Sequence, residues 1–287
     1  MTRYFKASMR TMRLLFDRTP TIIFAQNPSI VLAAMIVIYG KQRGRVAVID
    51  AHNAALERLE DANVLGFVSR WLVRHAFLTL VSNAALATLV EAKGGRAAVL
   101  PDPLPKFSPR PIVSLRGSYN VLFICTWAAD EPYEAVLEAA RGLPEDIHIY
   151  VTGSSRGREC SIEGGVPDNV SLTGFVPEDA FEDLLHSVDL VVDLTTREDC
   201  LVCGAYEGVA AGTPLLLSDT QALREYFDSG TLFTDNSRDD ISRRIVEARA
   251  RHEELRMEIL ELSGRIPQRW ADHLRAVEEL LEAKTSG

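Results

Sequence analysis

Two acidic residues in one short stretch have a spacing that could serve substrate binding. The segment "DCLVCGAYEGVAAGTPLLLSD" places Asp199 and Glu207 with seven uncharged residues between them. The apolar spacing predicts a helix over residues 201–211, so Asp199 is expected at its N-cap or just before it. Glu207 then lies about two turns further along the same helix.

The start of that helix could bind a nucleotide. Backbone N–H groups of Cys200, Leu201 and Val202 would lie at the positive end of the helix dipole, which favours an anion such as phosphate. Glu207 is better placed to accept hydrogen bonds from hydroxyl groups. Phosphate at one end and vicinal hydroxyls at the other describe a nucleotide with its ribose. The spacing is equally compatible with a plain cap at Asp199 and a salt bridge at Glu207.

The elements that must position these residues alternate between strand and helix almost throughout. Strands are predicted over residues 21–26, 45–53, 77–83, 97–101, 120–125, 146–153, 169–174, 188–194, 214–219 and 230–234, and helices fill most gaps between them. This alternation predicts parallel sheets covered on both faces, so the predicted fold class is α/β with two Rossmann-like domains facing a cleft. Ligands of such sheets bind beyond the carboxyl ends of the strands.

A proline-rich segment marks the predicted domain boundary. "PDPLPKFSPRP" over residues 101–111 holds five prolines, which exclude a helix or a central strand. The prediction is a first domain over 1–105, a linker over 106–117 and a nucleotide-sugar-binding second domain over 118–265. A final helix over 266–287 is expected to pack back on the first domain.

Composition limits the class of protein. The 287 residues have 47% apolar residues and a net charge of −9, which argues against non-specific nucleic-acid binding. Four cysteines in a chain of this length predict free thiols and a cytoplasmic protein, since C-x-x-C at Cys200–Cys203 lacks a second pair for zinc. The apolar run over 29–40 is too short to span a bilayer. A buried helix and a partial insertion beside a membrane both fit this run, which follows a basic segment.

A resemblance extends over residues 20–235. "EDCLVCGAYEGVAAGTPLLLSDTQALREYF" resembles the signature of retaining GT-B-fold glycosyltransferases of the group 1 type, in which an acid, seven residues and a Glu open a helix before Gly-x-Pro and an apolar strand. "NVSLTGFVPEDAFEDLLHSVDLVVDL" resembles the strand, Gly-Phe loop, helix and strand that lead into that signature. "VIDAHNAAL" resembles the first-domain loop with the active-site His, and "LVSNAALATLVEAKGGRAAVLPDPLP" resembles the segment that enters the linker.

The resemblance implies a metal-independent enzyme without a cofactor that moves a sugar from a nucleotide diphosphate sugar to a saccharide or lipid-linked acceptor. Cell-envelope or exopolysaccharide synthesis, with peripheral contact at the inner membrane face, is the expected setting. Implied catalytic residues are His52, Asp199 and Glu207, with Glu207 also on the ribose. Implied donor-binding residues are Thr126, Trp127, Arg156, Phe175, Val176, Glu198, Cys200, Leu201 and Val202, and implied acceptor-side residues are Asn27 and Asn53.

Two departures from the family pattern leave alternatives open. Where the family carries an Arg and a Lys against the diphosphate, this chain reads "CTWAADEPYEA", so Arg156 or Arg158 is the candidate substitute. The first domain is short, because the chain opens on a helix where the family has a strand and a Gly-rich turn. A catalytically inactive GT-B-like partner protein and a sugar-nucleotide epimerase are the alternatives to a transferase. Either Glu198 or Asp199 could fill the first acidic position.

Overall fold

The computed structural model describes residues 2–27, 29–108, 110–158 and 162–285. The chain divides into two compact units. Unit 1 comprises Met1–Asp102 and Arg269–Gly287, and unit 2 comprises Pro103–Gln268. Cys160, one of the four cysteines, lies outside the described residues, and the other three are free thiols.

The described residues of unit 1 form one parallel sheet in the strand order β1-β2-β3-β4. Its strands are β1 (Ile22–Asn27), β2 (Val46–Ala51), β3 (Leu78–Val81) and β4 (Ala97–Val99). The register pairs Gln26 with Asp50 and Asn27 with Ala51. The polar ends of β1 and β2 therefore lie side by side at the carboxyl edge of this sheet.

Helices connect the strands of unit 1. They are α1 (Thr2–Arg18), α2 (Ile30–Arg43), α3 (Asn53–Leu56), α4 (Val64–His75) and α5 (Ala84–Ala92), with a 3-10 turn at Glu57–Leu59. The apolar run predicted as a buried helix forms α2, which ends at Gly44 in the left-handed conformation. The last part of the final helix packs on this sheet through a second apolar cluster, in which Val277 and Leu281 contact Val46 and Leu78.

The described residues of unit 2 form a larger parallel sheet than those of unit 1, with the strand order β10-β9-β8-β5-β6-β7. Its strands are β5 (Tyr119–Phe123), β6 (Ile147–Thr152), β7 (Val170–Gly174), β8 (Leu190–Asp193), β9 (Leu215–Ser218) and β10 (Thr231–Thr234). The central strands are buried along their whole length, as expected where helices cover both faces. The fold prediction of two α/β Rossmann-like domains with a short first one is confirmed.

The helices of unit 2 follow its strands. They are α6 (Tyr133–Ala140), α7 (Glu178–Leu185), α8 (Cys203–Ala211), α9 (Gln221–Tyr226), α10 (Arg238–Ala250) and the first part of α11 (His252–Thr285). The final helix was expected to begin at residue 266, whereas α11 begins at His252 and runs through Pro267 as one helix of 34 residues. Apolar residues on both sides of Pro267, including Ile266 and Val277, are buried and hold the helix together across it.

The proline-rich segment has no helix or strand among its described residues. It is fixed to unit 2 by Arg110, which forms salt bridges of 2.7 Å with both Asp179 and Glu182 on α7. Leu104 and Phe107 pack against the apolar core of the same unit. No helix of the described residues is long and apolar enough to cross a membrane.

Candidate active site

Helix α8, which carries Glu207, begins later than the sequence suggested. Val202 is the residue before its first turn and has extended backbone angles, with φ −85° and ψ 140°. Asp199 is therefore in the preceding loop rather than at the N-cap, and the N–H groups of Cys200, Leu201 and Val202 belong to that loop. Val202 is β-branched and its side chain caps no N–H of the helix, so the helix begins at Cys203.

The first turn of α8 is held by a carboxylate from the sheet. The N–H of Gly204 donates to Oδ2 of Asp193 at 2.8 Å, and Asp193 is the last residue of β8. A side chain at 204 has no room, because an added Cβ would lie 2.6 Å from that oxygen and 2.6 Å from Cδ1 of Ile124. Asp193 and Gly204 thus fix α8 against the carboxyl end of β8.

Asp193 is buried, and its surroundings disfavour its charge. Burial raises the pKa of Asp193 well above its ordinary value, while the Gly204 N–H lowers that pKa in part. The nearby carboxyl groups of Glu131, Glu207 and Asp130 raise the pKa further. The carboxyl ends of β5 and β8 therefore concentrate acidic side chains next to the start of α8.

Glu207 lies on α8 in a half-buried position. Burial raises the pKa of Glu207 to about 6. Among the described residues Glu207 has no salt-bridge or hydrogen-bond partner, so the salt bridge considered from its spacing is not formed. An acid kept in a partly desolvated place without a partner inside the protein is available to a ligand.

The loop after β5 is organised around Glu131. Its carboxylate accepts hydrogen bonds from the N–H of Thr126 at 2.9 Å, the N–H of Ala128 at 2.9 Å and the hydroxyl of Thr126 at 2.8 Å. The thiol of Cys125 donates to the same carboxylate at 3.3 Å. Glu131 therefore occupies backbone amides that face the carboxyl edge of the sheet in this loop.

Trp127 has a different role from the donor contact implied by the resemblance. Its side chain is 1% exposed, and the indole N–H donates to the carbonyl of Thr152 at 3.1 Å. Its φ of 62° is in the left-handed region, which costs energy for a large side chain. The buried indole and the Glu131 bonds hold this conformation, so Trp127 shapes the loop from inside the core.

Arg197 places a cation at this edge of the sheet, although it was not among the residues predicted to bind the diphosphate. Nε of Arg197 lies 3.0 Å from Oδ2 of Asp130. The N–H of Thr196 donates to the carbonyl of Asp130 at 2.8 Å, which ties the loop after β8 to the loop after β5. Arg156, the substitute suggested by the sequence, is exposed in the loop after β6, with φ 53°.

Hydrogen bonds connect the strand ends on the other side of β8. The hydroxyl of Ser218 accepts from the N–H of Thr195 at 2.9 Å and donates to the Asn236 side chain at 2.8 Å. The Asn236 amide group donates to the carbonyl of Thr195 at 3.1 Å. These bonds fix the first residues of the loop that carries the candidate acids.

The remaining donor-binding candidates differ in exposure. Phe175 is 85% exposed after β7, and Val176 beside it is half-buried. Glu198 and Asp199 are exposed, whereas Val202 is 8% exposed. Parallel strands are about 4.8 Å apart, so three strand spacings put the end of β7 roughly 14 Å from the end of β8 along the sheet.

In unit 1 the candidate histidine is held by the end of the neighbouring strand. Nε2 of His52 lies 2.6 Å from Nε2 of Gln26, and the His52 N–H donates to the carbonyl of Asn27 at 3.0 Å. Asn27 is 5% exposed, and its Oδ1 has no hydrogen-bond partner among the described residues. Asn53, the first residue of α3, follows His52 directly. Gln26 was missed as a site residue, although its place at a strand end was a signal.

Asp50 is a second residue that the prediction missed. It lies on β2 beside Gln26, and burial raises the pKa of its carboxyl group, whereas His52 lowers that pKa. Asp102 raises the Asp50 pKa further. Among the described residues, no three His, Cys, Asp or Glu side chains are grouped so that they could hold a metal ion.

The two parallel sheets and their strand order are those of the GT-B glycosyltransferase fold. Residues 118–251 match the family described as glycosyl transferases group 1. That segment includes the sheet of unit 2 with α8, so the chain carries a group 1 glycosyltransferase domain. The predictions of a group 1 domain and of a glycosyltransferase are therefore confirmed. No curated protein matches the sequence of this chain.

Solved structures share the fold at low sequence identity. HepE (Alr3699) from Anabaena in complex with UDP-glucose has a TM-score of 0.73 and 14% identity, over 94% of this chain and 82% of that chain. Sucrose-phosphate synthase from Thermosynechococcus elongatus has a TM-score of 0.74 and 13% identity, over 98% and 78%. TarM has a TM-score of 0.68 and 12% identity, over 91% and 54%.

Proposed function

We propose that this chain is a retaining glycosyltransferase that needs no metal and transfers a sugar from a nucleoside diphosphate sugar. The acceptor we propose is a saccharide or a lipid-linked saccharide in cell-envelope or exopolysaccharide synthesis. The observation that carries the proposal is Glu207, a half-buried acid without a partner among the described residues, on the helix that begins at the carboxyl end of β8. Its pKa of about 6 leaves it charged at neutral pH.

In this proposal Glu207 accepts hydrogen bonds from the two ribose hydroxyls of the donor. Hydrogen bonds to a charged acceptor are stronger than neutral ones, and hydroxyls supply the partners that Glu207 lacks. The exposed Phe175 and the backbone of Val176 border the base. The carboxyl edge of the sheet from β8 to β7 is long enough for an extended nucleotide between Glu207 and Phe175. The likeness to HepE, whose structures hold UDP and UDP-glucose, favours uridine as the base.

The diphosphate meets the loop between β8 and α8. We assign it to the amides of Cys200, Leu201 and Val202 together with Arg197, which the Asp130 salt bridge holds at the same edge. Glu198 or Asp199 in this loop faces the donor sugar. Donors aimed at the leaving phosphate stabilise the charge that develops as the sugar departs.

The reaction breaks the bond between the anomeric carbon and the phosphate oxygen and forms a bond to the acceptor oxygen on the same face of the sugar. The electron pair of the broken bond leaves with the phosphate, and the acceptor proton is transferred to it. We propose that His52 acts in this step, with its ring fixed by Gln26. Asn27 and Asn53 are proposed on the acceptor side.

The test is nucleotide binding by calorimetry and thermal shift, with UDP, GDP, ADP and their sugars. One base family is expected to bind the wild type, and Glu207→Ala is expected to weaken that binding about 100-fold through the loss of two charge-assisted bonds. Glu253→Ala, an exposed acid on α11, is the matched control and is expected to bind as wild type.

An inactive partner protein is the second candidate, because Glu131 occupies loop amides where the family has phosphate-binding cations. Binding of no nucleotide by the wild type would favour it. Conversion of a free nucleotide sugar without an acceptor would instead indicate an epimerase. Turnover unchanged by EDTA and a product with the anomeric configuration of the donor, read by NMR, are expected for the proposed transferase.

We propose a cytoplasmic location with peripheral contact at the membrane that holds the acceptor. The cysteine content and the resemblance support this placement. Cell fractionation checks it, since the protein is expected with membranes at low salt and in the soluble fraction after a high-salt wash.

A further inference from the structure

Helix α1 and its neighbour α2 leave an apolar surface uncovered in unit 1. The groove between them has an apolar lining of Met9, Met12 and Phe16 of α1 and Val31 and Met35 of α2, with Ser8, Arg13 and Asp17 of α1 also at its wall. Met9 and Phe16 are each 45% exposed and Val31 is 57% exposed. Exposed apolar side chains that form one contiguous patch, unlike single ones, mark a surface for interaction with a protein or a membrane.

The apolar surface continues along α2. Val31, Met35 and Ile38 have the spacing of one helix face, and Ile38 is 45% exposed. The opposite face of α2 is in the core, where Ile36 and Val37 are buried. The groove and Ile38 therefore form one strip, which we call the α1–α2 apolar strip (Met9, Met12, Phe16, Val31, Met35 and Ile38).

A row of cations runs beside this strip. Lys6, Arg10 and Arg13 are exposed and recur every three to four residues on one face of α1. None of the three forms a salt bridge with a described residue. Arg13 is four residues from Met9, so the cationic face adjoins the apolar strip. Arg43 of α2 adds a guanidinium 5.0 Å above the ring of Phe16.

The local charge is opposite in sign to that of the whole chain. The segment of α1 holds five basic residues and one acid, Asp17, in a chain of net charge −9. A helix with a cationic face next to an exposed apolar face lies in the plane of a membrane interface, where the cations meet anionic headgroups. A partner protein that covered the apolar surface would also need an acidic surface to match the cations of α1.

We propose that α1 and the α1–α2 apolar strip form a docking surface for a membrane rich in anionic lipid. Lys6, Arg10 and Arg13 contact the headgroups, while Met9, Phe16 and Val31 enter the boundary between headgroups and acyl chains. This inference rests on the peripheral contact proposed above and gives residues to it, and the surface lies in unit 1, whereas the proposed nucleotide site is in unit 2.

The experiment is co-sedimentation of the whole protein with vesicles of phosphatidylglycerol and phosphatidylethanolamine, against vesicles of phosphatidylcholine. Binding is expected to the anionic vesicles alone and to fall as salt rises from 0.05 to 0.5 M. Lys6→Gln/Arg10→Gln/Arg13→Gln is expected to weaken binding about 100-fold, and Met9→Ser/Val31→Ser to weaken it at least tenfold.

Arg256→Gln/Met257→Ser is the matched control, because these residues are an exposed cation and an exposed methionine on α11 in unit 2. It is expected to bind vesicles as wild type. Nucleotide binding is measured on every variant, so a loss at the lipid surface alone is separated from a failed transferase proposal. Circular dichroism checks that each variant is folded.

A second measurement does not depend on the charge variants. In the Met9→Trp variant, the fluorescence that the added indole contributes is expected to be quenched by brominated lipid in anionic vesicles, because the side chain at position 9 is inserted. The proposal is overturned if the wild type ignores anionic vesicles or if α1 variants bind them unchanged. It is also overturned if Met9→Ser/Val31→Ser converts a dimer to a monomer without changing lipid binding, since the strip would then join two copies of the chain.

Discussion

The carboxyl group of Glu207 is kept in a position that costs the protein stability. Its pKa is about 6 in the folded chain against 4.5 in the unfolded chain, because burial disfavours its charge. Below pH 4.5 the group is protonated in both states and carries no penalty. As the pH rises from 4.5 to about 6, the group ionises in the unfolded chain while it stays largely protonated in the folded one, so the free energy of unfolding falls, and the loss is complete above about 6.

Glu207→Gln is therefore expected to stabilise the protein above pH 6 while it weakens nucleotide binding. The gain should be about 1 kcal/mol at pH 8, allowing for solvent screening of a half-buried group, and should vanish at pH 4.5. Urea denaturation of both proteins at the two pH values measures it. A variant less stable than wild type at pH 8 would show that Glu207 has a structural partner.

The contact between Asp193 and Gly204 could not be predicted from the sequence. It ends an apolar strand, and its partner Gly204 comes eleven residues later, after a loop. The spacing of Asp199 and Glu207 was visible because both residues lie in one local pattern. The Asp193 contact depends on how the loop folds back over β8, which no local pattern encodes.

Among the elements, the start of α8 is closely packed, because a Cβ added at Gly204 would lie 2.6 Å from Asp193 and from Ile124. Strands were predicted within a few residues throughout, because β-branched runs and their polar ends are local signals. The first turn of α8 was placed too early, because Asp199 has the type of an N-cap residue. The structure instead uses the N–H of Gly204 and a side chain from β8 to fix the helix.

Gly204→Ala is expected to destabilise unit 2 by roughly 1–3 kcal/mol, because its Cβ would overlap Asp193 and Ile124. Gly264→Ala is the control: nothing lies within 4 Å of that Cβ in helix α11, so it should stabilise by roughly 0.5–1 kcal/mol. Thermal unfolding of both variants tests this. Equal melting temperatures would contradict the close packing at the start of α8. Nucleotide binding should weaken in Gly204→Ala alone.

At the scale of the whole molecule, α11 contributes to both cores. Leu255 and Ile259 are buried in unit 2, while Val277 and Leu281 complete the core of unit 1. Trp270 adds a hydrogen bond from its indole N–H to the carbonyl of Pro101 at 3.0 Å within unit 1. A final helix that packs back on the first domain was expected from the sequence, and Trp270 lies in that helix.

Val277→Ala/Leu281→Ala is expected to cost unit 1 roughly 3–6 kcal/mol through the cavity it leaves beneath β2 and β3. Hydrogen exchange should accelerate in β1–β4 and stay unchanged in β5–β10. Leu280→Ala, at a residue that is 37% exposed on the same helix, is the control with little expected effect. Acceleration across both sheets would mean that the two units unfold as one.

The double contribution of α11 has a consequence for synthesis on the ribosome. Residues 1–102 emerge first, yet the helix that covers Val46 and Leu78 is made only after the whole of unit 2. We therefore expect unit 2 to complete its fold first, while the sheet of unit 1 exposes an apolar face until residues 269–287 have emerged. We expect a chaperone to bind a nascent chain that is stalled before residue 269.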